Sequence, residues 1–317
     1  MAEMVKKATR ESFGEAITAL AETNPDIVVL DADLAEATKT GIFKKKYPER
    51  FIDCGIAECN MIGIAAGLAT CGKVPFAASF AMFSAGRAFE QVRNSVGYPH
   101  LNVKIVGSHA GISVGEDGAT HQCCEDFATM RSIPGMVVCC PCDANEMRQA
   151  VQALVEYDGP AYLRLGRAAV EDVTSSLPGY AFKLGEGAVL RDGGDVTIVA
   201  VGGMVQEALK AADLLKGEGV DARVIDMHTV KPLDEALVLK AAKETGAIVT
   251  TEEHNIIGGL GSAVADYLAG VYPVPVVRHG VNDEFGRSGK AAEVLEAYGL
   301  TAVGIVEKVR AALALKR

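Results

Sequence analysis

The chain has 317 residues, of which 49% are apolar and 23% are charged, and its mean hydropathy is +0.19. These values exclude a disordered chain and provide enough apolar side chains for about two domain cores. With 31 basic and 41 acidic residues the net charge is −10, which argues against general affinity for nucleic acid or an anionic membrane, because that affinity needs clustered Lys and Arg.

The beginning of the chain, MAEMVKKATRESFGEAI, shows neither the apolar core nor the cleavage site of a signal peptide, and no apolar run reaches membrane-spanning length. We therefore expect a cytoplasmic protein whose cysteines are reduced thiols. Cys139 and Cys142 have CxxC spacing, but only Cys123 and Cys124 could complete a zinc site. We interpret this segment as an apolar strand end and predict no metal site in this chain.

Short apolar runs alternate with helical patterns in the first half of the chain. The predicted strands lie at 26–30, 50–55, 74–80, 102–108, 136–141 and 161–166. The predicted helices lie at 10–23, 58–72, 84–97 and 143–157. A capping box of Asp143 and Glu146 opens the last helix. Nearly continuous apolar strands between helices predict a doubly wound, mostly parallel α/β sheet covered on both faces.

Residues 168–194 interrupt this rhythm with glycines, a proline and scattered charges. The second half then shows further strands, predicted at 196–202, 222–227, 247–253 and 274–280. Its helices are predicted at 203–216, 233–245, 259–269, 288–298 and 301–315. We therefore expect two doubly wound α/β domains, 1–170 and a smaller 191–317, joined by a linker at 171–190.

Two short motifs carry weak signals. The basic run Lys44–Lys46 precedes Tyr47–Pro48 and is interpreted as a solvated helix end. The GGLG stretch at 258–261 is predicted to open a helix and could hold an anion there. It lacks the GxGxxG spacing and the following acidic residue of a dinucleotide site, which excludes that class.

Glu58 lies just after a predicted strand, at the start of a helix that is apolar on nearly every face. We expect that helix to be buried. The simpler interpretation of Glu58 is a carboxylate that complements the helix dipole. The alternative is a desolvated glutamate that shares a proton with a ligand nitrogen.

Aromatic and basic residues follow the predicted strand at 74–80. Phe80 and Phe83 flank the strand-to-helix turn, where they either belong to the core or form a stacking wall for a planar ligand. Arg87 lies on the helix that follows. By default it belongs to a solvated face or pairs with a carboxylate, and we count it among the candidate cofactor-binding residues.

The loop GSHAGISVGEDGATHQCC, residues 107–124, contains four glycines and two of the six histidines of the chain. It follows another predicted strand, and parallel α/β sheets bind ligands at the carboxyl ends of their strands. His109, Asp117 and His121 could therefore converge on a polar substrate. The simpler alternative is that the glycines form turns and the histidines cap backbone groups.

Three segments together resemble the transketolase family, specifically its C-terminal half. GIAECNM resembles the family's glutamate motif, SFAMFSAGRA its aromatic motif, and GSHAGISVGEDGATHQ its substrate loop. Residues 185–317 also resemble the C-terminal domain of the family, in VIDMHTVKPLD, TTEEHNIIGGLGSAV and NDEFGRSGK. The resemblance covers essentially the whole chain and implies a thiamine-pyrimidine-binding domain followed by a transketolase C-terminal domain.

The resemblance implies a thiamine diphosphate enzyme that transfers a two-carbon glycolaldehyde unit from a ketose phosphate to an aldose phosphate, as in the pentose phosphate pathway. It implies that Glu58 bonds to the N1′ nitrogen of the aminopyrimidine, and that Phe83, with Phe80 nearby, stacks on this ring. Asp33 corresponds to an acid that lines the cofactor site.

The resemblance also assigns the residues around the substrate. His109 and His121 correspond to histidines around the sugar and its phosphate, which makes them candidate catalytic residues beside Glu58. Asp117 corresponds to a residue that recognises a sugar hydroxyl. Arg10 and Arg167 correspond to the arginines for the substrate phosphate, and their planar forks suit a pair of phosphate oxygens.

The sequence departs from the family pattern at two positions. Ala37 replaces a serine, and the nearby Thr38 and Thr40 are not equivalent to it, which puts one phosphate contact in doubt. Cys59 replaces the histidine that usually follows the glutamate, and we assign it only a packing role.

The chain also lacks the family's diphosphate and metal motif, a Gly-Asp-Gly followed by a distant Asn. We therefore expect the N-terminal half of the enzyme to be a separate chain that binds the diphosphate and Mg²⁺. The cofactor would then be shared between the two subunits. Two such pairs around a two-fold axis would form a heterotetramer.

Other members of the superfamily remain alternatives. The β subunit of a 2-oxoacid dehydrogenase has a similar length, but its loop does not read GEDGATHQ. A 1-deoxyxylulose-5-phosphate synthase has a related loop, but Glu116 before Asp117 fits transketolase better. A non-catalytic regulatory subunit of the same fold should have lost site residues, and here they are present.

Overall fold

The computed structural model describes residues 6–316. Residues 1–5 and 317, which the predicted domains include, lie outside this range. The strands are β1 (Lys6–Ala8), β2 (Ile27–Asp31), β3 (Phe51–Asp53), β4 (Val74–Phe80), β5 (Lys104–Ser108), β6 (Val137–Cys139), β7 (Ala161–Arg164), β8 (Ala169–Glu171), β9 (Ala188–Arg191), β10 (Val196–Ala200), β11 (Ala222–Asp226), β12 (Thr229–Lys231), β13 (Ile248–Asn255) and β14 (Val276–Val281).

The α-helices alternate with these strands along the chain. They are α1 (Thr9–Leu20), α2 (Ala35–Thr38), α3 (Gly41–Lys46), α4 (Glu58–Thr70), α5 (Phe89–Gln91), α6 (Asp126–Arg131), α7 (Ala144–Glu156), α8 (Met204–Gly217), α9 (Glu235–Thr245), α10 (Leu260–Val271), α11 (Ala291–Ala297) and α12 (Ala302–Leu315). Two π-helical segments, Met82–Arg87 and Val92–Gly97, flank α5.

The first sheet has seven strands in the order β12-β6-β7-β5-β4-β2-β3. All neighbours are parallel except β12, which runs antiparallel to β6. Every residue of β2, β5 and β7 is buried. Strands covered on both faces favour continuous apolar runs, which explains why these segments were recognisable in the sequence.

The second sheet has five strands in the order β14-β13-β10-β11-β9, and only β9 is antiparallel to its neighbour. Both large sheets are thus mainly parallel and alternate with helices, which confirms the expected fold class. The sheet begins at Ala188, inside the predicted linker 171–190. The predicted domain limits themselves remain a prediction.

The two halves of the chain are closely packed together. Strand β12 lies in the second half of the sequence but completes the edge of the first sheet. One buried apolar cluster extends from Val138 and Cys140 to Val201, Ile225 and Met227 of the second half. Any movement of one half against the other would therefore disrupt a shared core.

The sequence missed several short elements, namely β1, β8, β9, β12, α2 and α6. They contain three to six residues each, and strands this short depend on long-range pairing that local periodicity does not report. The predicted capping box is confirmed, because Asp143 Oδ1 accepts the Glu146 N–H at 2.8 Å. The predicted solvated helix end is also confirmed, because Lys44–Lys46 are exposed at the end of α3.

Helix α4 corrects a prediction. It was expected to be buried all round, but Asn60, Gly63 and Gly67 form an exposed face. A Cβ placed on either glycine would meet no atom within 4 Å. The uniform apolarity of α4 therefore does not reflect burial within residues 6–316.

The N–H groups of the GGLG stretch bind a side-chain carboxylate of the same chain. Helix α10 begins at Leu260, and the buried carboxylate of Glu252 accepts N–H bonds from Leu260 at 2.7 Å and Gly261 at 2.8 Å. The helix N-terminus is thus satisfied internally, as its dipole favours.

Two buried carboxyl groups and a buried thiol meet between the two halves of the chain. Ligand-capable atoms of Cys142, Glu146 and Asp226 lie within 4.8 Å of one another. Glu146 also accepts bonds from the Tyr180 hydroxyl and the Cys142 N–H. Neither carboxylate oxygen of Asp226 has a hydrogen-bond partner among the described residues. Burial raises the pKa of Asp226 well above its usual range, and the charge of Glu146 acts in the same direction.

We expect this arrangement to make stability depend on pH. The folded chain retains a proton on Asp226, whereas the unfolded chain ionises it near pH 4, so stability falls as pH rises towards the raised pKa. The slope for one proton is about 1.4 kcal/mol per pH unit. Asp226→Asn provides a hydrogen-bond donor but has no ionisable proton, so it should flatten the dependence of stability on pH.

Urea unfolding at pH 6 and pH 8 measures this effect. The unaltered chain should lose stability relative to Asp226→Asn over that interval. Asp213→Asn is the control, because the Asp213 side chain is 77% exposed and its loss should leave the slope unchanged. Parallel slopes for the unaltered chain and Asp226→Asn would contradict a proton retained on Asp226 in the folded chain.

Candidate active site

The predicted site residues gather at one edge of the first sheet, where its parallel strands end. Asp33 follows β2, Glu58 follows β3, Phe80 ends β4, His109 follows β5 and Arg167 follows β7. Strands β7, β5, β4, β2 and β3 are direct neighbours in that order. The topology thus brings together residues that are far apart in sequence, at the edge where parallel sheets bind ligands.

Glu58 is the first residue of α4 and is 1% exposed. Its Oε2 accepts a hydrogen bond from Arg87 Nη1 at 2.8 Å, the only bond to this carboxylate recorded within residues 6–316. The second oxygen is therefore free to accept a further donor. Pairing with a carboxylate was one of the two default roles of Arg87, and its partner is Glu58. The Arg87 side chain is 49% exposed.

The aromatic segment joins Glu58 to the opening loop. The Arg87 guanidinium lies 4.6 Å from the centre of the Phe83 ring, a cation–π contact. The Phe83 and Phe80 rings are nearly parallel, with centres 6.0 Å apart. The predicted helix at 84–97 is present, but π-helical turns at both ends widen it. Such turns are often found at functional sites.

The two histidines of the loop pack against the same rings. His109 stacks on Phe80 with ring centres 4.1 Å apart. His121 meets Phe83 edge-on at 5.4 Å and Phe80 at 6.1 Å. The structure thus brings Glu58, Phe83 and both histidines into one connected group.

His109 is a buried, neutral imidazole. Burial lowers its pKa to about 3, and the charges of Arg10 and Arg167 act in the same direction. Its Nδ1 lies 2.9 Å from Ser108 Oγ. The residue has a φ of 56°, in a region that non-glycine residues enter at some energetic cost and that is often found at functional sites. At neutral pH His109 can offer one donor and one acceptor, but no charge.

Asp117 ends a 3₁₀ segment at Ile112–Asp117 and is exposed. Gly115 and Gly118 on either side have φ values of 82° and 73°, which explains the glycines at these positions. Asp117 is therefore held on a turn of fixed shape with its carboxylate accessible.

Arg10 and Arg167 lie close together behind this loop. Arg10 donates to the Ala37 carbonyl at 2.6 Å and to the Arg167 carbonyl at 3.4 Å. Burial lowers the pKa of Arg10, and the charge of Arg167 acts in the same direction. Arg167 donates to Glu116 at 2.9 Å and to the Val114 carbonyl. Two adjacent guanidinium groups with unused N–H donors favour an anion.

The loop after β2 contains a buried acid that the sequence reasoning missed. Asp31 is fully buried and accepts bonds from Thr38 Oγ1 at 2.7 Å, Thr40 Oγ1 at 2.8 Å and the Leu34 N–H at 2.6 Å. Burial raises the pKa of Asp31. Thr38 and Thr40 thus fold the loop instead of replacing the serine lost at Ala37. An acid that ends an apolar strand, followed by a TxT pattern, could have revealed this.

Asp33 has a more peripheral place than the other candidates. It is exposed, with a φ of 62°, and its N–H donates to Asp53 Oδ1 at 3.2 Å. It lies at the same sheet edge, and its role at the cofactor stays a prediction.

The cysteines are free thiols, and five of them are buried, namely Cys123, Cys124, Cys139, Cys140 and Cys142. Burial raises the pKa of Cys140 to about 12, so this thiol is unreactive at neutral pH. Cys59 packs beside the site, with its Sγ 3.5 Å from the Arg87 carbonyl. In the part of the chain that the structure describes, no helix is long and apolar enough to cross a membrane.

Known families match the two halves of the chain separately. The transketolase pyrimidine-binding domain model matches residues 5–172, and the transketolase C-terminal domain model matches residues 185–305. A solved structure described as a split gene transketolase in an inactive beta4 tetramer is 54% identical, with a TM-score of 0.91 over 98% of this chain and 99% of that one.

Two curated relatives show the same likeness in sequence. The 6-deoxy-6-sulfo-D-fructose transketolase subunit SqwH of Clostridium sp. (strain MSTE9) is 47% identical over 94% of this chain and 92% of its own length. Human transketolase is 39% identical over 96% of this chain, which spans 49% of the human protein.

The fold and the site define a two-domain α/β protein with a glutamate, an aromatic wall and two histidines at the carboxyl edge of its first sheet. The chain belongs to the transketolase family and resembles its C-terminal section. Membership in this family implies thiamine diphosphate with a divalent metal. The expected family is thereby confirmed, while the roles of single residues remain predictions.

Proposed function

We propose that this chain is the C-terminal subunit of a split transketolase, which transfers a two-carbon ketol unit from a ketose phosphate to an aldose phosphate. Residues 1–170 would form its pyrimidine-binding domain and 191–317 its C-terminal domain. The observation that carries the proposal is the buried Glu58 carboxylate, with one oxygen held by Arg87 and the other free.

The residues around Glu58 fit the aminopyrimidine end of thiamine diphosphate. A buried carboxylate with a free oxygen can accept a ring N–H and hold a proton there. The rings of Phe80 and Phe83 offer a wall for a planar heterocycle. When bound, thiamine diphosphate supplies the carbanion chemistry, and the protein orients it and excludes water.

The residues at the other end of the candidate site fit a sugar phosphate. His109 and His121 provide ring nitrogens beside the aromatic wall, and the exposed Asp117 can accept bonds from sugar hydroxyls. Arg10 and Arg167 suit the phosphate, because their adjacent charges repel each other until an anion lies between them.

A separate N-terminal subunit would provide the diphosphate and Mg²⁺ ligands, so that the cofactor is shared. The exposed face of α4 beside Glu58, with Gly63 and Gly67, would allow close approach of another chain. Arg87, which is half-exposed, bonds to Glu58, and Ile56, which is 76% exposed, precedes Glu58 by two residues. Both suit the same contact. Two such pairs would form a heterotetramer.

Reconstitution tests this proposal. We expect the chain alone to show no thiamine-dependent ketol transfer, because half of the cofactor ligands are missing. Adding its N-terminal transketolase partner should restore transfer from at least one of a panel of ketose phosphates, with the apparent activity saturating near equal amounts of the two chains. The solved relative described as an inactive beta4 tetramer supports this expectation.

Two outcomes would contradict the proposal. Full turnover by the pure single chain would exclude the split arrangement. If a reconstituted complex that binds thiamine diphosphate transferred no ketol unit from any ketose phosphate of the panel, ketol transfer would be excluded. Decarboxylation of a 2-oxoacid by that complex would instead favour the related dehydrogenase or deoxyxylulose phosphate synthase chemistry.

A further inference from the structure

The loop that carries His109 and Asp117 is held from behind by residues of the second half of the chain. The end of β13 reaches the first sheet, where Asn255 N–H donates to the Cys124 carbonyl at 2.9 Å. On the other side, Gly118 faces Ser288, and a Cβ on Gly118 would lie 2.4 Å from Ser288 Oγ. The loop 111–118 is therefore enclosed between the two halves.

Glu253 of β13 makes the most specific of these contacts. Its Oε1 accepts the Ser113 backbone N–H at 2.6 Å, and its side chain is so close to Gly111 that a Cβ there would lie 2.3 Å from Oε1. Gly111 has a φ of 80°. The carboxylate thus occupies the space that a side chain at residue 111 would need, and it fixes the backbone between His109 and Asp117.

The backbone that carries Glu253 is held in place. Glu253 is 9% exposed, and the guanidinium of Arg164 donates to its backbone carbonyl at 2.8 Å. Gln122 supports the same loop, since its Nε2 donates to the carbonyls of Ile112 and Arg287, each at 3.0 Å. A cavity of about 180 Å³ lined by Ser113 and Glu253 lies behind the loop, so the loop has room to shift once the carboxylate is removed.

We propose that Glu253 is a positioning residue that fixes the substrate loop through the Ser113 N–H, so that the second domain sets the placement of His109 and Asp117. This rests on the proposed function, because the loop matters for sugar binding only if the site is a transketolase site. Glu253 acts through the loop backbone and touches no predicted ligand position. Small displacements of such a loop have large effects on a bound substrate.

Glu252 offers a matched control. It is the adjacent residue on the same strand, is also buried, and also accepts two backbone N–H bonds, but it caps α10 instead of the loop. Neighbouring residues in a strand point to opposite faces. Both substitutions remove a buried carboxylate, and only one of them releases the loop.

Hydrogen exchange on the complete chain without its partner provides the first test. Glu253→Ala should speed exchange at residues 111–118, and Glu252→Ala should instead speed exchange at the start of α10. Glu253→Gln retains an oxygen acceptor at the same distance and should preserve protection of the loop. Glu253→Asp moves the acceptor back by one methylene group and should lose that protection. Unchanged protection of 111–118 in Glu253→Asp would overturn the proposal even if Glu253→Ala failed to fold.

Kinetics of the reconstituted complex provide the second test. Glu253→Ala or Glu253→Asp should raise KM for the ketose phosphate by about tenfold, the effect of losing one hydrogen bond. Glu253→Gln should stay close to the unaltered enzyme, and Glu252→Ala should lower Tm without changing KM. A KM that rises equally in Glu252→Ala and Glu253→Ala would reduce Glu253 to a stabilising residue. Absence of ketol transfer in the unaltered complex would refute the proposed function, while the exchange experiment would still decide whether Glu253 holds the loop.

Discussion

Glu58→Gln is expected to reduce ketol transfer by the reconstituted complex by about 10²-fold or more, as for the loss of a positioned acid–base group. The substitution preserves size and burial but removes the charge. In the unaltered chain Arg87 Nη1 donates to Glu58 Oε2 at 2.8 Å. In the variant an amide N–H could face Arg87 Nη1 instead, so the contact that orients the side chain would also be weakened. The measurement is kcat with saturating thiamine diphosphate and ketose phosphate.

Cys59→Ser is the matched control for this prediction. It lies on the same helix turn, packs partly buried against the apolar core, and places its Sγ 3.5 Å from the Arg87 carbonyl. We expect its activity to stay within about twofold of the unaltered complex, since replacing a partly buried thiol by a hydroxyl of similar size preserves the packing. If Glu58→Gln retained activity comparable to Cys59→Ser, Glu58 would be a helix-dipole carboxylate without a catalytic role.

The sequence could place candidate site residues at strand ends because the fold class and the positions of strand ends are both local signals. Continuous apolar runs marked β2, β4, β5 and β7, and polar residues directly after them had to share one edge of a parallel sheet. Phe80 and His109 were therefore placed at one edge without any knowledge of their distance, whereas Arg167 was assigned only through the resemblance to the family.

Several features could not be read from the sequence because they depend on long-range contacts. The bond from Arg87 to Glu58 spans 29 positions, and that from Ser113 to Glu253 spans 140. The two π-helical segments around α5 contain six residues each, which is too short for apolar periodicity to distinguish them from an ordinary helix. The uniform apolarity of α4 was misread as internal burial, since apolarity indicates a covered face without saying what covers it.

Asp126→Ala is expected to destabilise the folded chain by about 3–5 kcal/mol, the range for breaking a buried ion pair by removing one partner. Asp126 is fully buried, and its Oδ2 accepts bonds from Arg164 Nε at 2.7 Å and the Tyr162 hydroxyl at 2.9 Å. The substitution would leave a buried guanidinium and a buried hydroxyl without their acceptor. Thermal or urea unfolding should show the loss, as a fall in Tm of about 5–8 °C for a chain of this length.

The consequences of Asp126→Ala should reach the site, because Arg164 also donates to the carbonyls of Cys123 and Glu253. This guanidinium therefore joins the end of the substrate loop to the second domain. Glu22→Ala removes an exposed ion pair with Lys46 and serves as the control, with no expected change in Tm. Equal melting temperatures for Asp126→Ala and the unaltered chain would mean that hydrogen bonds to backbone carbonyls are enough for Arg164, and the junction between the domains would then owe its stability to the shared apolar core.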